Sequence, residues 1–121
     1  MARIMVVDDD AQIRNMLCKM LKREGHNVSD ATNGVQAIRR YREEPTDLVI
    51  TDIIMPDKEG IETIMELKRD YSDVKIIAIS GGGRIGPNSY LQLAKKCGAE
   101  RTFFKPFDRT ELIQAINDLV S

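Results

Sequence analysis

The chain has 121 residues, 42% of them hydrophobic, with 18 Lys and Arg against 19 Asp and Glu and a formal charge of -1. That length supports one hydrophobic core and leaves no room for two. The balanced charge, without a Lys/Arg block and with only 5% aromatic residues, lacks the basic footprint of direct DNA or RNA binding. No apolar stretch is long enough for a signal peptide or a membrane span, so a cytoplasmic protein without membrane contact is expected. Cys18 and Cys97 stand far apart without metal-ligand spacing, and they read as ordinary reduced thiols.

In chain order, Ile4 to Val7 predicts a buried strand running into Asp8, Asp9 and Asp10. Ile13, Met16, Leu17, Met20 and Leu21 recur at i, i+3, i+4, i+7 and i+8, which predicts an amphipathic helix, and Gly25 suits the position just past its end. The lone His26 is expected to be exposed, near a weak second strand around Val28. Asn33 can cap a second helix that carries Val35, Ile38 and Tyr41 and ends before Pro45. Leu48 to Thr51 predicts a third strand leading into Asp52, and Ile61, Ile64, Met65 and Lys68 mark a third helix. Val74 to Ile79 predicts a fourth strand leading into Ser80; Pro87 opens a fourth helix that closes near Gly98. Thr102 to Phe104 gives a fifth strand leading into Lys105-Pro106, and Leu112, Ile113, Ile116, Leu119 and Val120 give a fifth helix. The Met and Leu stripes are expected in the core. Apolar runs alternating with helical segments predict an α/β fold with a parallel sheet between helical layers. Residues 1 to 121 read as one domain, with no linker and no output domain after the fifth helix.

Ligands of open parallel sheets bind outside the carboxyl ends of the strands. There the first strand offers Asp8, Asp9 and Asp10, the third Asp52, the fourth Ser80 and the fifth Lys105, while the end of the second carries nothing of note. Singly, each has an ordinary structural use: Asp9 or Asp10 as a helix cap, Asp52 as a turn residue. Together they place carboxylates, a hydroxyl and a cation on one edge. Two carboxylates about 4 Å apart repel by roughly 4 kcal/mol near a protein surface, so the group requires a cation or a shared proton. Oxygen ligands without His or Cys favour a hard ion, magnesium or manganese in its place. One divalent ion with Lys105 balances the charges of Asp8, Asp9 and Asp52. A phosphoryl group added to a carboxylate is then stabilised by the ion, by Lys105 and by a hydrogen bond from Ser80.

Val6-Val7-Asp8-Asp9-Asp10, Ile50-Thr51-Asp52-Ile53-Ile54-Met55-Pro56 with Glu59-Gly60, Ala78-Ile79-Ser80-Gly81 and Phe103-Phe104-Lys105-Pro106-Phe107 resemble the successive motifs of response-regulator receiver domains. The resemblance covers essentially the whole chain. It implies a doubly wound, five-stranded parallel sheet in the order 2-1-3-4-5, a flavodoxin-like three-layer sandwich. It implies that Asp52 is the phosphoryl acceptor, taking the group from a phosphohistidine on a histidine kinase or histidine phosphotransfer protein. Asp9 and Asp52 would ligate magnesium directly, Asp8 through water, and the Ile54 carbonyl would be a further ligand. Lys105 would hold one phosphoryl oxygen and Ser80 would turn inward to another, with the Lys105-Pro106 peptide cis. The domain would catalyse only its own phosphorylation and dephosphorylation, and signal by binding a downstream target protein.

The chain departs from the family pattern in three respects. Thr102 stands where many members carry a switching aromatic. Gly81 to Gly86 is a longer, glycine-rich loop, and no Gly-Lys-Ser/Thr follows to make it a phosphate loop. Ile54 and Gly82 offer no side-chain hydrogen bond at the positions that flank hydrolytic water. Among rival readings, a phosphohydrolase of the haloacid-dehalogenase kind needs its nucleophile on the first strand in an Asp-x-Asp-x-Thr/Val pattern, which Asp8-Asp9-Asp10-Ala11-Gln12 does not complete. A flavodoxin-like electron carrier needs a phosphate loop where this chain has three acidic residues. A docking domain that is never phosphorylated would not need the full set of Asp, Ser and Lys.

Overall fold

A computed structural model describes residues 2–53, 60–80, 87–105 and 107–120. Five strands, β1 (Arg3–Val7), β2 (Asn27–Ala31), β3 (Leu48–Asp52), β4 (Lys75–Ser80) and β5 (Arg101–Phe104), alternate with five helices, α1 (Ala11–Arg23), α2 (Gly34–Glu43), α3 (Gly60–Asp70), α4 (Pro87–Cys97) and α5 (Arg109–Val120). All strand pairs are parallel, and the sheet order is β2-β1-β3-β4-β5, the order implied by the family resemblance. The chain reverses its direction of travel across the sheet between β1 and β3, where a crevice opens at the carboxyl ends of the strands.

The central strands are continuous apolar runs because both of their faces are covered. Met5, Val7, Val49, Ile76 and Ala78 face a core closed by Ala37, Ile38 and Tyr41 of α2, Ile61, Ile64 and Leu67 of α3, and Ala94 of α4. Ile4, Val6, Leu48, Ile50, Ile77 and Ile79 face the opposite core, closed by Leu17, Met20 and Leu21 of α1 and Leu112, Ala115 and Ile116 of α5. Period-two alternation thus divides one run of sequence between two cores. Side chains on the edge strands β2 and β5 are exposed or half-buried, save Ala31.

Local signals set the helix ends. Asp10 Oδ1 accepts from the Gln12 and Ile13 amides at 2.9 and 3.4 Å, and Asn33 Oδ1 accepts from the Gln36 amide at 2.8 Å. At the end of α1, His26 N donates to the Leu21 carbonyl and Gly25 N to that of Lys22, a Schellman closure that needs the positive φ of 89° at Gly25. His26 itself is half-buried, contrary to expectation, because its Nδ1 accepts from the Ala2 amide at 3.1 Å. Met65, expected in the core, lies outside it at 54% exposed, and Val35 of the second helix is 49% exposed. The buried stripe of α3 is Ile61, Ile64 and Leu67, and Met65 is turned about 100° past Ile64. Val35 likewise falls beside the stripe of Ala37, Ile38 and Tyr41. Val74 is buried as expected but precedes β4, its amide donating to the Tyr71 carbonyl in the turn after α3.

At the end of the sheet away from the crevice, Glu100 Oε1 accepts from the Ile76 amide at 2.9 Å while Lys68 Nζ pairs with Oε2 at 2.9 Å. This carboxylate prolongs the β4–β5 pairing with a side chain.

Gly60 opens α3 against the end of β3. Its amide donates to the Ile53 carbonyl at 2.7 Å, and a Cβ there would lie 2.2 Å from the Asp52 carbonyl oxygen and 2.5 Å from the Ile53 Cα. Backbone cannot yield as a flexible side chain can. Gly60→Ala is therefore expected to destabilise the fold by about 2–3 kcal/mol, the upper range of overpacking costs, read as a lowered urea midpoint.

Candidate functional site

β1 and β3 deliver their last residues to the crevice as neighbours. Asp8, just past β1, is 2% exposed and Asp52, the last residue of β3, is 7% exposed. Lys105 arrives from beyond β5, its amide donating to the Ser80 carbonyl at 2.8 Å, so the ends of β4 and β5 are tied together. Its ammonium bridges the two carboxylates, 3.0 Å from Asp8 Oδ2 and 3.2 Å from Asp52 Oδ2. Asp8 Oδ1 accepts from the Asp10 amide at 2.9 Å, and the Asp8 amide donates to the Ala31 carbonyl. Asp9 is exposed, and ligand atoms of Asp8, Asp9 and Asp52 all lie within 4.8 Å of one another. Asp10 faces away and caps α1.

Burial works against the Lys105 ammonium, but its hydrogen bond to Asp8, the charges of Asp52 and Asp8 and its hydrogen bond to Asp52 outweigh it, holding its pKa above the ordinary lysine value. Three carboxylates against one ammonium leave the cluster short of positive charge. The donor set fits a hard divalent ion, since all of its ligand atoms are carboxylate oxygens. Ser80, fully buried at the end of β4, has an Oγ without a hydrogen-bond partner among the described residues. Unsatisfied buried hydroxyls are uncommon in folded proteins. Ile79, the residue before it, is the register partner of Asp52. Thr102 is half-buried on β5 opposite Ala78, on the same face of the sheet as Ser80. Ile54, the loop Gly81 to Gly86 and Pro106, with the peptide expected to be cis, lie outside the described residues. A cleft of about 350 Å³ beside Lys105 is lined by Ile13, Met16, Phe107 and Arg109. No helix among the described residues is long and apolar enough to cross a membrane.

The profile of the family described as "response regulator receiver domain" matches residues 4–117. The chain belongs to the response regulator receiver domain family. It is 34% identical over 119 residues to the chemotaxis protein CheY of Halobacterium salinarum, covering 98% of this chain and 97% of that one. It is 37% identical to CheY of Bacillus subtilis, covering 95% and 94%. The crystal structure of response regulator protein TrrA from Thermotoga maritima in complex with Mg(2+)-BeF superposes with a TM-score of 0.88 at 33% identity, covering 98% of this chain and 99% of that one. These matches leave the phosphohydrolase alternative without support.

The crevice of this receiver domain thus gathers Asp8, Asp9, Asp52 and Lys105, with Ser80 at the end of the adjoining strand. Sequence reading overlooked three neighbours. Gly60 packs on the Asp52 backbone, Thr51 Oγ1 donates to the Asp52 carbonyl at 2.9 Å, and Arg14 donates to the Asp8 carbonyl at 2.9 Å. Thr51 and Gly60 stood in the family motif without a role, and no residue pattern marked Arg14.

The Lys105 bridge has a defined pH signature. Because its folded pKa is raised, it contributes fully below the ordinary lysine value of 10.5 and its contribution is lost as pH rises through the folded value. Metal-free protein is therefore expected to lose stability above that pH through a component that Lys105→Met lacks, checked by urea unfolding at stepped alkaline pH.

Proposed function

We propose that this receiver domain, read as one unit over residues 1–121, is a phosphorylation-controlled switch in which Asp52 accepts a phosphoryl group from a phosphohistidine on a histidine kinase or histidine phosphotransfer protein. The observation that carries this reading is the Lys105 ammonium shared by Asp8 and Asp52 at the mouth of the sheet, beside Asp9. An Asp52 carboxylate oxygen attacks phosphorus, an O–P bond forms as the P–N bond breaks, and the departing imidazole keeps the electron pair. Lys105 neutralises charge on the transferred group, and the Ser80 hydroxyl, without an acceptor among the described residues, donates to a phosphoryl oxygen. Asp8 supports the site, its two oxygens accepting from the Asp10 amide and the Lys105 ammonium.

Magnesium is the favoured ion, with manganese able to replace it; Asp9 and Asp52 would hold it directly, Asp8 through water and Ile54 through its carbonyl. Once bound, it supplies positive charge to the reacting oxygens. The Mg(2+)-BeF complex of the Thermotoga maritima protein supports this choice. The domain turns over no substrate beyond its own phosphorylation and dephosphorylation. It acts in the cytoplasm, and its output is a changed affinity for a downstream target protein, with Ser80 and Thr102 as the moving residues and without direct contact to nucleic acid or membrane.

Incubation with acetyl phosphate and magnesium is expected to add one phosphoryl group to the wild-type chain and none to Asp52→Asn, measured by mass spectrometry with and without a chelator; equal labelling of the two proteins would sink the assignment. In magnesium titrations, Asp9→Ala is expected to weaken binding at least about tenfold, ~1.4 kcal/mol. Asp10→Ala should leave the affinity nearly unchanged while lowering folding stability by about 1 kcal/mol through the lost cap.

A further inference from the structure

The end of β2, which no sequence motif marks, is tied to the acidic loop by an arginine. Arg14 lies one turn into α1, with its side chain 16% exposed. One terminal guanidinium nitrogen donates to the Asp8 carbonyl oxygen at 2.9 Å, and Nε stands 3.3 Å from Asp30 Oδ2 on β2. The latter contact is an ion pair without hydrogen-bond alignment, since the buried Nε has no hydrogen-bond partner among the described residues. Arg40 of α2 holds Asp30 from its other side, donating to its carbonyl and lying 3.3 Å from Oδ1. Asp30 is thus fixed between two guanidinium groups, and Arg14 is fixed between Asp30 and the loop.

The Asp8 carbonyl belongs to the same rigid peptide unit as the Asp9 amide. Asp8 is anchored by Lys105, by the Asp10 amide and by the Ala31 carbonyl. The Asp9 side chain has no hydrogen bond or ion pair among the described residues, although it belongs to the acidic cluster. The peptide plane that precedes it places the nitrogen and Cα from which that side chain departs. We propose that Arg14 is a positioning residue for the cation site, setting the peptide plane between Asp8 and Asp9 so that the Asp9 carboxylate points at the ion, with Asp30 holding the guanidinium in place. The inference rests on the metal-binding reading given above.

The chemistry requires arginine. A guanidinium fork can meet a carbonyl with one nitrogen and a carboxylate with another, whereas an ammonium is a single point of charge. Charge alone predicts the opposite sign of effect: removing a positive group near a cation site should tighten the binding of a divalent ion. Loss of positioning should weaken it, by about tenfold for a residue that orients a ligand.

The test is isothermal titration with magnesium chloride of the wild-type chain, Arg14→Gln, Arg14→Lys, Asp9→Ala and the Asp9→Ala/Arg14→Gln double variant, with thermal melts of each. Arg14→Gln is expected to weaken magnesium binding about tenfold, and Arg14→Lys to weaken it also despite its retained charge. In the Asp9→Ala background, Arg14→Gln should cost no further affinity, while its effect on the melting temperature persists. If Arg14→Gln does not fold, Arg14→Lys and its double variant with Asp9→Ala carry the same comparison. Unchanged or tighter binding by the Arg14 variants, or an equal loss with and without Asp9, would overturn the positioning role while leaving the metal site standing. A wild-type chain that shows no saturable magnesium binding would overturn both.

Discussion

A single ammonium holds together groups that the chain keeps far apart. Lys105 is 97 residues from Asp8 and 53 from Asp52, yet its Nζ lies within hydrogen-bond distance of both. The parallel sheet makes that contact possible, with β1 and β3 as neighbours and β5 outside β4. Without Lys105, two nearly buried carboxylates would face each other in a region where water screens poorly. The contact is therefore both the product of the completed sheet and a condition for tolerating the charges at its mouth. It leaves the cluster still short of positive charge, which suits the crevice to a divalent cation.

The rest of the architecture keeps this edge rigid. Strands buried on both faces have little freedom to slide, because a one-residue slip would exchange the two sets of apolar side chains between cores. The Glu100 carboxylate and Lys68 fasten β4 to β5 at one end of the sheet, and the Lys105 amide fastens them at the other. Gly60 lets α3 begin hard against the backbone that presents Asp52.

Much of this was legible because residue type and position agreed. Asp8, Asp9, Asp52, Ser80 and Lys105 are polar residues placed immediately at or after apolar strand runs, where the topology of parallel sheets makes polarity informative. Gly25 and Asn33 could be read because caps have local chemistry. The sheet order could not be derived from periodicity and came only with the family resemblance. Met65 was misread because an apolar residue flanking a helical stripe has the same sequence signature as one within it. His26 gave no warning of its burial, since its partner is a backbone amide from the start of β1's approach. Arg14 and Glu100 were invisible for a related reason: a charged residue on a helix or beside a strand ordinarily faces solvent, and only the fold reveals a carbonyl or an amide within reach.

The arginines that grip Asp30 also bear on how the protein behaves in a crowded solution. β2 is an edge strand of five residues, open on one side. Such an edge is a template onto which a strand of another molecule can add, and charge on the edge is a common defence. Asn27 and Ser29 place polar side chains along β2, and near its end Asp30 is flanked by two guanidinium groups that an incoming strand would have to strip of water or displace. The aspartate that steadies the acidic loop thus also blunts the sheet against uncontrolled self-association.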